Sequence, residues 1–236
     1  MSKSLGNSPD PIELIEKYGA DGVRVGILLS SAAGNDLLFD EDLMLQGRNF
    51  ATKIWNAFRL IQGWKKEDKP ANEADLQTIE WFGNQMNKTI AEIEDQFSKF
   101  RISDALHLIY KLVWDDFCAW YLEAIKPNFG EGISQEVYDK TIAYFEELMR
   151  LLHPFMPFLT EELYQAIAER STEEALVIAQ QKKAEPFSEE NIKAFETAKE
   201  LISGVRNYRQ SKGISPRESV ELFTNAVAFE NEAVVK

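Results

Sequence analysis

The amino-acid sequence is dominated by apolar residues that recur three or four positions apart, the spacing of an α-helix with one buried face. The longest such segment follows Asp40 and extends to about Trp64. Its apolar face consists of Leu43, Gly47, Phe50, Ile54, Phe58 and Ile61. The glycine on this face predicts that a neighbouring helix approaches closely. The segment is therefore predicted to be a long helix with one side buried.

The remaining segments of this kind have recognisable ends. Asp10, Asp40, Thr160 and Ser188 are each placed to cap the start of a helix. The predicted helices cover about 11–18, 21–31, 40–64, 74–97, 103–125, 135–152, 161–169 and 188–211. Residues 176–179 and 218–224 are predicted to be short strands. The chain is thus predicted to be mainly α, a helical bundle with a small mixed α/β part at its carboxyl end.

Composition and charge exclude several classes of protein. The net charge of −13 argues against a general nucleic-acid binder, which needs a basic surface to displace counterions, but it is compatible with local basic rows that bind one folded RNA. His107 and His153 have no other ligands at metal-binding spacing, so no metal site is predicted. No segment resembles a membrane span or a signal peptide, which predicts a cytoplasmic protein without a membrane partner. The single cysteine, Cys118, excludes an internal disulfide.

The first seven residues form a motif. They read MSKSLGN and resemble the signature loop of class I aminoacyl-tRNA synthetases, Lys-Met-Ser-Lys-Ser, often continued by Leu-Gly-Asn. The first lysine of that pattern would precede Met1. A lysine on a movable loop can meet the negative charge that builds on the phosphates of ATP. The resemblance implies that Lys3 has this catalytic role and that Ser2, Lys3 and Ser4 bind ATP. The alternative is a disordered polar tail with an unrelated lysine.

Three later stretches narrow the resemblance to one branch of the class. They are GNDLLFD at 34–40, GRNFATKIWNA at 47–57 and HPFMPFLTEELY at 153–164. Together they are most similar to the anticodon-binding region of valyl-tRNA synthetases, although isoleucyl and leucyl enzymes share parts of them. A helical interaction protein that is not an enzyme is the remaining alternative, and the acidic charge favours it.

The resemblance to valyl enzymes implies a parent protein. That parent would be a monomer that joins L-valine to tRNA(Val) with ATP and Mg²⁺ through a valyl-adenylate. This chain would hold the end of the signature loop with stem-contact helices (1–34), the anticodon-binding helical bundle (35–170) and a small α/β extension (171–236) that stops before a coiled coil. We expect the chain by itself to bind no cofactor and to catalyse nothing, because one lysine on a loop is not an active site.

The helix after Asp40 also carries candidate RNA-binding residues. At about 100° per residue, four of them share one flank and three share the other. The first flank is Arg48, Thr52, Trp55 and Arg59, and the second is Asn49, Lys53 and Asn56. An aromatic ring between two arginines offers a stacking surface for a base and charge for its phosphate. The alternative is that Trp55 packs on a neighbouring helix while the arginines pair with acidic residues.

A second basic row lies near the carboxyl end of the last predicted helix. It contains Arg206 and Arg209 as candidate tRNA contacts, with Lys212 beyond them and Lys199 two turns earlier. The alternative is a solvated helix end, where cations suit the negative pole of the helix dipole.

Overall fold

The structure, a computed structural model, describes residues 9–31, 34, 39–171, 173–215 and 218–221. Its α-helices are α1 (Pro11–Tyr18), α2 (Ala20–Ser30), α3 (Glu41–Gln62), α4 (Glu73–Ser98), α5 (Ile102–Lys111), α6 (Leu122–Ile125), α7 (Gln135–Leu152), α8 (Pro157–Ile167) and α9 (Glu189–Lys212). Between α5 and α6 the helix widens into a π-helical segment, Leu112–Tyr121, which we call the π segment. The predicted helical bundle is confirmed.

Three of the four predicted helix caps are confirmed. Asp10, Asp40 and Ser188 each accept a hydrogen bond from a backbone N–H in the first turn of the helix that follows. Thr160 does not cap a helix, because α8 begins at Pro157, whose fixed φ suits the first helical position. The Thr160 hydroxyl is instead buried, where it donates to the Met156 carbonyl oxygen at 2.8 Å.

The predicted strands are not seen. Leu176–Ile178 is a single 3₁₀ turn, in which Leu176 is buried while Val177 and Ile178 are exposed. A strand needs a partner, and this turn has none in the part of the chain that the structure describes. Residues 218–221 have no regular structure, and residues 222–224 lie outside the described residues. Among the described residues there are two short strands, β1 (Lys66–Glu67) and β2 (Ile133–Ser134), which pair in parallel.

Helices α2 and α3 pack through glycines. A Cβ atom on Gly47 of α3 would lie 2.4 Å from the backbone oxygen of Gly22 in α2. A Cβ atom on Gly26 would lie 2.7 Å from the backbone nitrogen of Met44. No side chain fits at these positions, so the close helix approach predicted from Gly47 is confirmed.

Aromatic rings fill the core between α4, the π segment and α7. The ring of Phe82 lies 5.4, 4.9 and 5.1 Å from the rings of Phe117, Tyr121 and Tyr144. On the other side of α4, Trp81 stacks on Phe195 with ring centroids 3.8 Å apart. This stack attaches α9 to the bundle.

Two side chains of α2 hold the turn between α7 and α8. The Asp21 carboxylate accepts from the backbone N–H of Leu159 at 2.7 Å, at the start of α8. The Arg24 guanidinium donates to the carbonyl oxygens of Pro154 (2.9 Å) and Phe155 (3.2 Å), just after α7. Burial raises the pKa of Asp21, and its bonds from backbone N–H groups oppose that rise. The amino-terminal helices are thereby tied to the bundle.

Candidate nucleic-acid interface

The predicted row on α3 lies on the exposed side of that helix. Arg48, Thr52, Trp55 and Arg59 are all exposed, and the row faces away from the fully buried Ile54. With a rise of about 1.5 Å per residue, the two arginines stand about 16 Å apart along the helix. We call these four residues the α3 row. It has the length to follow several consecutive phosphates of an RNA strand.

The cations of the α3 row are not neutralised by acidic side chains. Within the described ranges, neither Arg48 nor Arg59 forms a salt bridge, and Arg48 makes only a long contact of 3.5 Å to the backbone oxygen of Lys17. The indole of Trp55 remains 40% exposed, and its nearest ring, that of Phe58, belongs to the same helix at 6.0 Å. The structure therefore does not show Trp55 packed under another helix, and it does not show the two arginines paired with acidic residues.

The residues of the second flank of α3 differ in how exposed they are. Asn49 and Asn56 are exposed. Lys53 is half-buried, and its ammonium lies 5.5 Å from the ring centroid of Trp114 in the π segment. The ring attracts this cation, so Lys53 faces the bundle more than the two asparagines do.

The residues of the basic row on α9 do not lie on one exposed surface. Lys199 is only 12% exposed and forms a salt bridge of 3.2 Å with Asp116 of the π segment. The prediction that Lys199 is a surface cation is therefore wrong, because its ammonium group turns inward to the buried carboxylate of Asp116. Burial raises the pKa of Asp116, and the charge of Lys199 opposes the rise.

The two arginines of this row have different surroundings. Arg206 is exposed, and its guanidinium carbon lies 5.6 Å from the ring centroid of Trp120. Arg209 is half-buried and donates to the carbonyl oxygens of Ser215 (2.9 Å) and Glu218. Arg209 therefore holds the chain that follows α9, while Arg206 presents its charge to solvent.

A groove of about 1560 Å³ runs beside α9, and the sequence did not predict it. One wall is α9 with Arg206, and the other extends from Trp120, near the end of the π segment, to Phe129 beyond α6. The bottom is formed by α4 and α9 side chains such as Phe195. Tryptophan at 120 is a visible signal in the sequence, but its position opposite α9 depends on contacts between residues far apart in the chain.

The residues predicted to bind ATP cannot be placed. Ser2, Lys3 and Ser4 lie outside the described residues. In the part that is described, no three His, Cys, Asp or Glu side chains cluster in a way that could hold a metal ion. None of the described helices is long and apolar enough to cross a bilayer.

The family follows from comparison with known proteins. The family described as "Anticodon-binding domain of tRNA ligase" matches residues 80–224, more than half of the chain. The chain belongs to this family. The family described as "tRNA synthetases class I (I, L, M and V)" matches residues 1–40, where the signature motif lies. An anticodon-binding region attached to the end of a class I synthetase motif is the arrangement that the sequence motifs predicted.

The similar curated proteins are valine–tRNA ligases. The chain is 55% identical to the enzyme of Christiangramia forsetii over 94% of this chain and 25% of that protein. It is 50% identical to the enzyme of Parabacteroides distasonis over 99% of this chain and 27% of that protein. The resemblance to the valyl branch is therefore confirmed. The chain spans about a quarter of the length of these relatives.

A solved structure shows the same fold. It is the agnB2 LeuRS of Agrobacterium radiobacter K84, determined as a ternary complex with tRNA and LeuAMS. The match has a TM-score of 0.56 and 18% identity, and it covers 81% of this chain and 22% of that one. This confirms the helical fold that the sequence predicted.

Proposed function

We propose that this chain is the tRNA-binding region of a valine–tRNA ligase, and that the α3 row holds the anticodon arm of tRNA(Val). The observation that carries the proposal is the α3 row itself, an exposed tryptophan between two arginines that have no acidic partner among the described residues. In a chain with a net charge of −13, free arginines on one helix face are a local attraction for phosphate. The family of anticodon-binding domains supports RNA as the ligand.

The parent reaction is part of the same proposal. The parent joins L-valine to tRNA(Val), with ATP and Mg²⁺, through a valyl-adenylate. Lys3 meets the phosphate charge, and Ser2 and Ser4 donate hydrogen bonds to phosphate oxygens. We place the protein in the cytoplasm as a monomer. The boundaries near residues 34 and 170 separate the loop and stem, the anticodon-binding bundle and the carboxyl-terminal extension.

Each residue of the α3 row has a distinct part in this proposal. Arg48 and Arg59 neutralise backbone phosphates at the two ends of the row. Trp55 offers its exposed indole face to a base. Thr52, Asn49 and Asn56 supply neutral hydrogen-bonding groups beside that face. Lys53, held at the Trp114 ring, adds positive potential from the edge of the surface.

Removing both arginines of the α3 row is expected to weaken tRNA binding strongly. We expect Arg48→Ala with Arg59→Ala to raise the Kd for valine tRNA by about tenfold at moderate salt, because two phosphate contacts are lost. The slope of log K against log salt should become shallower by about two. Both quantities can be measured by filter binding of labelled transcript between 50 and 200 mM salt.

The control is an arginine outside the α3 row. Arg101, at the start of α5, is exposed and has the same charge, so Arg101→Ala should leave the Kd within about twofold. Unchanged binding by the Arg48 and Arg59 double variant, or an equal loss in Arg101→Ala, would remove the α3 row from the interface.

Discrimination between tRNAs tests the valyl assignment. We expect the chain to bind valine tRNA more tightly than isoleucine or leucine tRNA under the same conditions. Competition of unlabelled transcripts against labelled valine tRNA measures the ratio directly. A preference for isoleucine or leucine tRNA, or no binding to any tRNA, would contradict the proposal that this region holds tRNA(Val).

A further inference from the structure

We propose that the groove beside α9 is a second RNA-binding site, in which Trp120 and Arg206 hold an unpaired nucleotide. This site shares no residue with the α3 row. It rests on the proposed function only in taking RNA as its ligand.

The size of the groove favours a polymer. Sites for small molecules usually enclose about 300–1000 Å³, and this groove is larger, at about 1560 Å³. Its walls are separate elements, α9 on one side and the turn after α6 on the other. A strand of several unpaired nucleotides can lie along such a groove.

One wall of the groove carries an exposed cation, Arg206. Of the acidic side chains that line it, Glu123 pairs with Lys126 at 2.5 Å. The other three accept hydrogen bonds from neutral amides nearby in the chain: Asp75 from Asn72 at 2.8 Å, Glu131 from Asn128 at 3.1 Å and Glu73 from Gln77 at 3.3 Å. Arg206, on the opposite wall, has no acidic partner among the residues that the structure describes. The Arg206 guanidinium is therefore available to bind a phosphate group.

Aromatic rings stand beside this charge. Trp120 is half-buried and borders the groove, with the Arg206 guanidinium at 5.6 Å from its centroid. Phe129, on the same wall, is fully exposed. Bases of unpaired RNA stack on such rings whatever their sequence, while arginine neutralises the phosphate. A tryptophan, a phenylalanine and a free arginine at one groove fit a nucleotide better than a peptide.

The largely buried side chain of Lys199 helps to hold Trp120 in place. The Lys199 ammonium lies 5.5 Å from the Trp120 centroid and is fixed by its salt bridge to Asp116. Lys199 and Arg206 are seven residues apart, which is two helical turns, so both reach Trp120 from the same face of α9. The buried pair thus positions the ring and the arginine relative to each other before any ligand binds.

The test uses a labelled single-stranded RNA heptamer and fluorescence anisotropy at 50 mM salt. We expect Trp120→Leu to weaken binding about tenfold and Arg206→Gln about fivefold, while Trp120→Phe retains most of the affinity. Tyr208→Leu and Lys212→Gln are matched controls on α9. Both side chains are exposed and neither borders the groove, so binding should stay within about twofold. A heptamer duplex should not respond to Trp120→Leu, because its bases are already stacked.

Two results would overturn the site. One is unchanged heptamer binding in Arg206→Gln and in a folded Trp120→Leu variant. The other is an equal loss of heptamer affinity in Lys212→Gln, which would show that binding depends on positive charge in general and not on the groove. In a protein that already carries Arg48→Ala and Arg59→Ala, Trp120→Leu should still weaken heptamer binding, so this site and the α3 row fail separately.

Crosslinking identifies the occupant of the groove. With Phe129→p-benzoylphenylalanine, illumination in the presence of the heptamer should give a protein–RNA adduct that Arg206→Gln diminishes. Mass spectrometry would locate the crosslink. A crosslink to residues 222–236 of the same chain, formed equally with and without RNA, would assign the groove to that segment and contradict the proposal.

Discussion

Replacing Gly47 by alanine is expected to lower the free energy of unfolding by about 2–3 kcal/mol, which is typical of overpacking at a tight contact. The new Cβ atom would lie 2.4 Å from the backbone oxygen of Gly22. A backbone atom cannot rotate out of the way, so α2 and α3 must separate along their whole contact. The gain in helix propensity, about 1 kcal/mol, is too small to compensate. Urea denaturation followed by circular dichroism measures the difference.

Gly204 provides the matched control for Gly47. It lies within α9, where an added Cβ atom would meet nothing within 4 Å. Gly204→Ala is therefore expected to stabilise the protein by about 0.5–1 kcal/mol through helix propensity alone. If Gly47→Ala were as stable as Gly204→Ala, the close packing of α2 on α3 would be wrong.

The thiol of Cys118 is expected to resist alkylation in the folded protein. Burial raises its pKa to about 12 from an ordinary value of 9.0, and the nearby Lys53 charge opposes this only in part. Only the thiolate reacts, so at pH 8 the folded protein should react about 1000-fold more slowly than an exposed cysteine. The neutral form predominates up to about pH 11, so the pH of ordinary assays does not alter this protection.

Iodoacetamide labelling followed by mass spectrometry tests this prediction. The same protein in 8 M urea is the control, and there labelling should reach completion at the rate of a model peptide. Rapid labelling of the native protein would show that the π segment opens readily. Because Cys118 is the only cysteine, the labelling rate also reports whether a variant of the α3 row or the groove remains folded.

Local signals in the sequence predicted the helices well. Asp10, Asp40 and Ser188 cap helices because a side-chain oxygen bonds to an N–H group only two or three residues away. The same holds for the α3 row, since its exposure follows from the apolar period of a single helix. Thr160 was misassigned because Pro157, three residues earlier, starts the helix first.

Features that depend on distant residues were not predictable. Asp116 and Lys199 are 83 positions apart, and no local pattern distinguishes this lysine from the exposed Lys212. The π segment has the apolar spacing of an ordinary helix, and its widening becomes visible only in the packed structure. The groove arises because α9 is attached to α4 through the stack of Phe195 on Trp81. The second basic row was therefore predicted as one surface but is divided in the structure.

The attachment of α2 to the turn after α7 has a mechanical consequence. Asp21 places negative charge at the positive pole of α8, and Arg24 places positive charge on the carbonyl oxygens just beyond α7. Swivelling of α7 and α8 about their joint would break both sets of bonds at once. We therefore expect the angle between α7 and α8 to resist change as long as the Asp21 and Arg24 contacts of α2 are intact.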